Sequence, residues 1–530
     1  MSATAESRTT PPSATGFAPE PSVRLVNCFS QPYDNAVAAA RTCYSPDVVL
    51  PEDVGRDEAS RVRRDAIAAS IYQAGHHTTL QHSTFQFILE NVSRQFIWSF
   101  LHSHPHYNSE QVSQRYVTVS PERIAVPPLA GRARDLFLDS ASRSMGAYFK
   151  LIELLTPAVR DEYKRLFPAR NPDDKQGAGA VKKKAQEAAR YVLPLATHAH
   201  LYHTISGLTL HRYHRLCLAY DAPAEQRQVV EKMLAEVKKA DPLFAEHMED
   251  PLPLEKTPEA AFFETRSPTS SREFVAEFDR ELGLRISKLV DWKANGEATM
   301  AQSVRSVLGA PRAALSDDDA ISLVLDPARN GYLSETLNLS AHAKIGRTMV
   351  HPHFTFKKRL SHTADSQDQR HRATPASRPI LATHVAPESP DFATPVLVEA
   401  VPAAKVFYEE TMAVLWRDFA SLLNAGAPAE FAIYLLPNAV NVRFEESGDL
   451  AAFHHKWVHR LCYTAQEEIW RACREEWLQV KDVAPCLARH IAAPCTLRQA
   501  AGIKPFCPEG DRYCGVPVWK LGVEDYKRLL

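Results

Sequence analysis

The sequence predicts a protein of two tandem repeats, each mixing helices with a few strands, with helix dominant. Three observations predict it. Short markers recur in the same order in the two halves of the chain. Apolar residues at helical spacing fill most of the periodic segments. A few short stretches alternate apolar and polar residues, as half-buried strands do.

The recurrence comes first because it sets the organisation. Near His82 the chain reads QHSTFQF, with Phe85 and Phe87 three and five residues on. Near His351 it reads HPHFTF, with Phe354 and Phe356 at the same spacing. YVLPLA (Tyr191 to Ala196) pairs with YLLPNA (Tyr434 to Ala439), and HRLC occurs at His214–Cys217 and again at His459–Cys462. Each marker alone is weak. Three in one order, with Pro-to-Arg gaps differing by two residues, make duplication the better explanation than chance. The expected organisation is a disordered Ser/Thr/Pro/Ala-rich tail over 1–21, a first repeat over 22–295 and a second over 300–480. A Cys-containing extension over 481–530 follows. The expected boundary is the stretch 291–311, ending at Pro311.

Within this frame the elements follow in order. RRDAIAASIYQAG is apolar at helical spacing and stops at Gly75, a residue suited to the left-handed turn that ends a helix. STFQFILEN is a strand, its alternating phenylalanines marking one buried face. SRQFIWSFLH is helical and heavily apolar. The stretch 168–186, PARNPDDKQGAGAVKKKAQ, reads as an inserted loop with solvated lysines. AEQRQVVEKMLAEVKKA is an amphipathic helix, and FYEETMAVLWRDFASLLNAG is another that ends at Gly426.

Composition bounds the function classes. The chain has 530 residues, 45% hydrophobic and 24% charged, which suits a soluble globular protein of several domains. Lys+Arg number 62 against Asp+Glu 63, so a general nucleic-acid binder, which needs a basic excess, is not expected. No apolar run reaches the roughly 18 residues that span a bilayer. Nine cysteines and the absence of an export signal point to a reducing cytoplasm.

Two polar stretches can carry chemistry. YNSEQVSQRYV, Tyr107 to Val117, sets Ser113, Gln114, Arg115 and Tyr116 side by side. These are hydrogen-bond donors and a permanent cation, suited to a phosphate and a planar amide-like ring. Read alone it is a turn capping a helix. In the second half, SHTADSQDQRHRATPASRP holds Arg370-His371-Arg372 after Gln367, which read alone is a basic loop.

Together these stretches resemble the flavin-dependent thymidylate synthases. That family's motif is Arg-His-Arg, two residues, Ser, one residue, Asn-Glu, one residue, Ser, one residue, Arg, usually then Tyr. It follows a short strand preceded by a His, and a later Arg-x-x-Leu-Pro leads to a further Arg. The first repeat resembles the right-hand end. Ser113, Arg115 and Tyr116 fall in place, Asn108 and Glu110 fit if two extra residues are allowed, and Arg190 matches the Arg-x-x-Leu-Pro arginine. Its left-hand end is lost, with LHSHPH (Leu101 to His106) in place of the triplet. The second repeat resembles the left-hand end. Arg370, His371 and Arg372 are in register after Gln367, and Arg460 matches the late arginine. Its right-hand end is lost, with Pro375, Arg378, Ile380 and Ala382 where Ser, Glu, Ser and Arg are expected, and Ile433 replaces the Arg-x-x-Leu-Pro arginine. Each repeat keeps what the other has lost.

The resemblance implies two copies of an α+β fold, each a small, mostly antiparallel sheet flanked by helices. It implies conversion of dUMP to dTMP, a methyl transfer with methylenetetrahydrofolate as carbon donor and NADPH-reduced FAD as hydride source. One composite active site would form from the complementary half-motifs. Ser113 and Arg460 are then the catalytic residues. Gln367, Arg370, Glu110, Ser113, Gln114, Arg115, Tyr116 and Arg190 bind substrate. His82, His351, Arg370, His371, Arg372 and His455 bind flavin. Small-molecule nucleotide and folate substrates are the expected partners, with no nucleic acid and no membrane, and the assembly is a homodimer equivalent to a tetramer of single repeats. The degenerate motifs leave two other outcomes open: a different pyrimidine nucleotide as substrate, or a non-catalytic protein that binds flavin or nucleotide.

No metal is expected among the site residues. Four cysteines near the end, Cys486, Cys495, Cys507 and Cys514, can hold a structural zinc as thiolates, although their spacings are not those of a CxxC pair. Separate buried thiols are the plainer reading.

Overall fold

The computed structural model describes residues 16–102, 106–218, 221–267, 269–335, 337 and 339–529. It contains two four-stranded antiparallel sheets of the same strand order. The first has β1 (Ser22–Cys28), β2 (Thr84–Ser93), β3 (Tyr107–Gln111) and β4 (His198–Ser206), ordered β1-β2-β4-β3. The second has β5 (Ser287–Trp292), β6 (His353–Ser361), β7 (Ala376–Ser377) and β8 (Asn441–Asp449), ordered β5-β6-β8-β7. The central pairs share a register up to a shift after Leu89 in the first sheet: Phe87 faces His203, and Phe356 faces Glu446. The α+β, helix-rich class expected from the sequence is therefore the class observed.

The elements form where their sequences predict. β2 buries Phe85, Phe87 and Leu89 on one face, against Phe96 and Phe100 of the 94–102 helix and Val229, Val230 and Met233 of the 223–240 helix. The predicted helix stops are glycines in the left-handed region, Gly75 at φ 76° and Gly426 at φ 86°. β6 has the same alternation, burying Phe354, Phe356 and Leu360, with Phe453 and Trp457 of the 450–460 helix packed on the phenylalanines. No helix among the described residues is long and apolar enough to cross a membrane.

Three details depart from the sequence reading. The stretch expected as a loop over 168–186 is largely a helix, Lys175–Ala189. The Asp174 carboxylate accepts the Gly177 N–H at 2.7 Å, and Val181, Ala185, Ala188 and Ala189 are buried on one face. Its Lys182 and Lys183 are exposed, so one solvated face coexists with a packed one. The second sheet takes its first strand from Ser287–Trp292, ahead of the boundary expected near 295–300, because those residues pair with β6. Of the tail, 1–15 lie outside the described residues. Within 16–21, Phe17 is buried and Ala18 exchanges backbone hydrogen bonds with Val126, so the ordered chain begins before residue 22.

The chain divides into two compact units that interleave in sequence. The first takes residues 1–145, 193–268 and 414–436, and the second takes 146–192, 269–413 and 437–530. Each unit is thus completed by a segment of the other repeat. In the first unit Leu195 and Ala196 donate their N–H groups to the carbonyls of Leu436 and Tyr434, both at 2.9 Å. Tyr434 then donates its hydroxyl to buried Glu225 at 2.6 Å, the carboxylate that also accepts the Ser93 N–H and hydroxyl. In the second unit the roles are mirrored. Ala439 donates to the Tyr191 carbonyl, and Tyr191 donates its hydroxyl to Glu468 at 2.6 Å. Glu468 in turn accepts the Ser361 N–H and hydroxyl. The recurring Tyr–Leu–Pro markers are therefore exchanged, each capping the carboxylate of the other repeat. Burial raises the Glu225 carboxyl to about 7 against these hydrogen bonds.

Candidate functional site

The second unit carries the triplet. β6 ends at Ser361, whose hydroxyl accepts the Ala364 N–H at 3.1 Å and so caps the 362–368 helix. That helix stops at Asp368, and Arg370-His371-Arg372 follow in the turn before β7, with both arginines exposed. The 450–460 helix brings Arg460 to the same turn. Arg460 donates from Nε to His371 Nε2 at 2.8 Å and from its terminal nitrogen to the Gln367 carbonyl at 3.2 Å. A guanidinium has no lone pair to offer, so the imidazole accepts at Nε2 and is neutral, with its proton on Nδ1. Burial, with Arg460 and Lys456 nearby, pushes the His371 pKa well below its ordinary value, in agreement with that tautomer. The His455 ring stands 5.8 Å from that of His371 and is itself exposed.

Beneath the triplet lies a buried charge cluster. The Lys358 Nζ lies 3.0 Å from Asp368, 3.0 Å from Glu446 and 2.9 Å from Glu476. Lys456 adds bonds to Asp368 at 2.8 Å and to Glu446 at 2.6 Å. Thr374 ties the cluster to the turn, donating to Glu446 at 2.8 Å while lying 2.9 Å from the His371 carbonyl. Trp457 and Ser287 donate to Glu476 at 2.7 and 2.9 Å. Burial alone would lower the Lys358 pKa, but the three carboxylates hold it well above the ordinary value. Burial would raise Asp368, but the two lysines hold it well below.

The first unit has no such cluster at the matching positions. Leu89 stands where β6 has Lys358, and His203 stands where β8 has Glu446. His203 is buried, and burial lowers its pKa to about 3, so it stays neutral against the Tyr213 hydroxyl. The unit without the triplet has also lost the charges that underlie it.

The first unit carries the other half-motif. β3 is an edge strand paired with β4, Glu110 lying opposite Tyr202. Arg94 pins its end, donating to the Gln111 side chain at 2.9 Å and to the Val112 carbonyl at 2.7 Å. The chain then turns. The Ser113 hydroxyl oxygen accepts the Arg115 N–H at 3.3 Å, leaving its proton able to point elsewhere, and the Arg115 guanidinium lies 5.5 Å from the centre of the exposed Tyr116 ring. Gln114 is buried and Glu110 exposed.

The remaining candidates divide between the units. Arg190 comes from the first repeat but lies in the second unit, with the triplet. It is buried, and its carbonyl accepts the Asn438 side chain at 3.0 Å. His351 hydrogen-bonds Ser303 at 3.0 Å in the second unit, whereas His82 is exposed in the first. Arg378, where the motif has a glutamate, is committed to a two-point ion pair with Asp365 at 2.8 Å. Part of LHSHPH (103–105) lies outside the described residues.

Of the four cysteines weighed as zinc ligands against separate buried thiols, Cys486 stands apart, its N–H donated to Glu297 at 2.8 Å. Cys495, Cys507 and Cys514 instead share a cavity with Cys462.

Sequence reasoning missed the charge cluster. One signal was available: Phe354, Phe356, Lys358 and Leu360 fall on one period-two row, so Lys358 is in phase with the core.

A family model described as thymidylate synthase complementing protein matches residues 24–243 and 288–486. A flavin-dependent thymidylate synthase of Clostridium tetani is 29% identical over 225 residues, covering 42% of this chain and 83% of the relative. Its namesake in Nitratidesulfovibrio vulgaris is 28% identical over 229 residues, covering 43% and 86%. That of Corynebacterium diphtheriae is 26% identical over 166 residues, covering 31% of this chain and 58% of its own length. Among solved structures, the UMP/dUMP methylase PolB from Streptomyces cacaoi bound with 5-Br dUMP matches at 22% identity and a TM-score of 0.31. It covers 43% of this chain and 93% of its own.

Proposed function

Because the chain belongs to the thymidylate synthase complementing protein family, matched twice along its length, we propose that it is a flavin-dependent thymidylate synthase converting dUMP to dTMP. Methylenetetrahydrofolate is the carbon donor and NADPH the reductant of FAD. The two half-motifs serve one catalytic centre.

The observation that carries this reading is the matched retention of support and motif. The triplet survives where Lys358, Asp368, Glu446 and Lys456 brace its turn, and it is gone where Leu89 and His203 replace that brace. The Ser113–Tyr116 turn survives where Arg94 pins β3. Arg190, kept by the first repeat, belongs to the unit that holds the triplet.

The donor set fits the ligands. Exposed Arg370 and Arg372 and the neutral His371 suit a flavin's phosphates and ring carbonyls. When bound, the reduced flavin supplies the hydride. Arg115, Arg190 and Arg370 hold the nucleotide phosphate through paired N–H donors, a geometry that lysine cannot reproduce. Arg460, fixed through His371 and the Gln367 carbonyl, faces the uracil and stabilises charge developing on its carbonyl oxygens. Ser113 donates its free proton to orient the ring.

The test is product formation. The purified chain receives FAD, NADPH, methylenetetrahydrofolate and dUMP without oxygen, and dTMP is followed by mass. The expected result is dTMP formation, abolished equally by Ser113→Ala and Arg370→Ala. A protein that binds flavin and dUMP yet makes no dTMP refutes the assigned reaction. Loss with only one of the two variants refutes the shared centre.

A further inference from the structure

We propose that a cavity of the second unit docks an extended, acidic peptide segment of a partner protein, in the way the first unit docks the chain's own residues 17–20. In the first unit Ala18 and Val126 exchange backbone hydrogen bonds, both at 2.9 Å. Phe17 is buried, its ring 5.2 Å from that of Tyr434 and 6.0 Å from that of Phe431. The Glu20 carboxylate is ion-paired to Lys232 at 2.8 Å and accepts the Gln228 amide at 3.3 Å. The Asn91 amide donates to the Glu20 carbonyl at 3.4 Å.

The same groove recurs in the second unit as a cavity of about 410 Å³, within the size range of ligand pockets. Ala125 donates to the Ala196 carbonyl, and Ala393 to that of Ala439, so Thr394 is the counterpart of Val126. Thr394 lines the cavity and makes no hydrogen bond among the described residues. Its N–H and carbonyl therefore stand where Val126 holds Ala18. Counted from the matched pairs Ser93–Glu225 and Ser361–Glu468, Arg359 takes the place of Asn91 and Arg471 that of Gln228. Glu475 takes the place of Lys232 and accepts the N–H groups of Ile286 and Ser287. The residues ahead of β1 run through the first groove. Those ahead of β5 instead form the 270–282 helix, which ends at Gly283 with φ 68°.

Charge and space define the occupant. Arg471 is ion-paired to Glu467 at 3.5 Å and Arg359 to Asp279 at 3.0 Å. Each guanidinium keeps further N–H donors for an incoming carboxylate. Asp391 is already bonded to Asn441 and Arg443, and Glu468 to Ser361 and Tyr191. Glu467 competes with the incoming carboxylate for Arg471, and burial raises its pKa, which weakens that competition. At the aromatic position Ala188 and Tyr191 replace Phe431 and Tyr434, and with Leu529 they border a space of only about 30 Å³. A small residue fits there and a phenyl ring does not. Backbone pairing at Thr394 gives affinity independent of sequence, and the arginines select an acidic side chain two residues further on.

The experiment titrates the full chain into a fluorophore-labelled peptide, Gly-Ala-Ala-Pro-Glu-Pro-Ser, the sequence of residues 16–22 with alanine in place of the phenylalanine. The first groove is held by residues of its own chain, whose high effective concentration excludes the added peptide. Fluorescence anisotropy should show saturable binding of one peptide per chain. Arg471→Gln, and glutamine for the peptide's glutamate, should each weaken it about tenfold. N-methylation of the peptide's second alanine, which removes the N–H that meets Thr394, should abolish it. Glu467→Gln should tighten it, and Arg24→Gln, in the first unit, should leave it unchanged. The peptide variants act on the unmodified protein, so the outcome does not depend on the folding of Arg471→Gln. Absence of saturable binding overturns the proposal, as does an affinity indifferent to the peptide's glutamate or to N-methylation. Displacement of the peptide by an equal concentration of inorganic phosphate would assign the arginines to a small anion and overturn it as well.

Discussion

Replacing Lys358 with methionine tests whether the buried charges brace the triplet. Lys358 and Lys456 face Asp368, Glu446 and Glu476, all essentially without solvent exposure. Lys358→Met leaves three carboxylates sharing one cation. Removing one partner of a buried ion pair costs about 3–5 kcal/mol, because the remaining charge is left without compensation. Adding Glu476→Met, the residue type of Met233 in the first repeat's core, returns the cluster to one cation against two carboxylates. Trp457 and Ser287 then lose an acceptor at 2.7 and 2.9 Å, at about 1 kcal/mol each. The double variant should therefore recover roughly 2 kcal/mol of the loss. Guanidinium denaturation followed by tryptophan fluorescence reads both, since Trp457 sits in the cluster. Flavin affinity should fall with Lys358→Met as the turn at Thr374 loosens. A cost below about 1 kcal/mol for the single variant, or a double variant less stable than the single, refutes the account.

Other expectations follow from the exchange and from the site. Tyr434→Phe and Tyr191→Phe each delete one hydroxyl donor to a buried carboxylate and should each cost about 1.5–3 kcal/mol, measured by denaturant midpoints; a large effect at one position and none at the other would contradict the mirrored roles. Glu225 has a folded pKa of about 7, above its ordinary value, so the stability it contributes is present at acid pH and lost as pH rises through about 7. Between about pH 5 and pH 8 the wild type should lose about 2–3 kcal/mol relative to Glu225→Gln, and parallel pH profiles of the two would refute this. Arg460→Lys keeps the charge but loses the fork that holds His371 Nε2 and the Gln367 carbonyl. Flavin affinity should drop roughly tenfold, about 1.4 kcal/mol, with little change in melting temperature; unchanged affinity by fluorescence titration would show that the fork does not position the triplet.

Much of this protein is local in its chemistry, and that part was legible. Alternation at Phe354 and Phe356, the helix stops at Gly75 and Gly426, the duplicated markers and the two half-motifs are patterns within a few residues. Periodicity of two or 3.6 is the direct imprint of strand and helix on the chain. The mixture of many helices with a few strands followed from them, and the α+β class from the family resemblance that the half-motifs carry. What only the tertiary structure decided is which distant groups meet. Nothing local announces that Tyr191 caps Glu468 across 277 residues, that Tyr434 caps Glu225 across 209, or that Arg190 belongs to the unit of the other repeat's triplet. The fourth thiol of the C-terminal cavity is Cys462 and not the nearer Cys486 for the same reason. Each such meeting is set by packing closed over long stretches of chain, where sequence distance carries little information about distance in space.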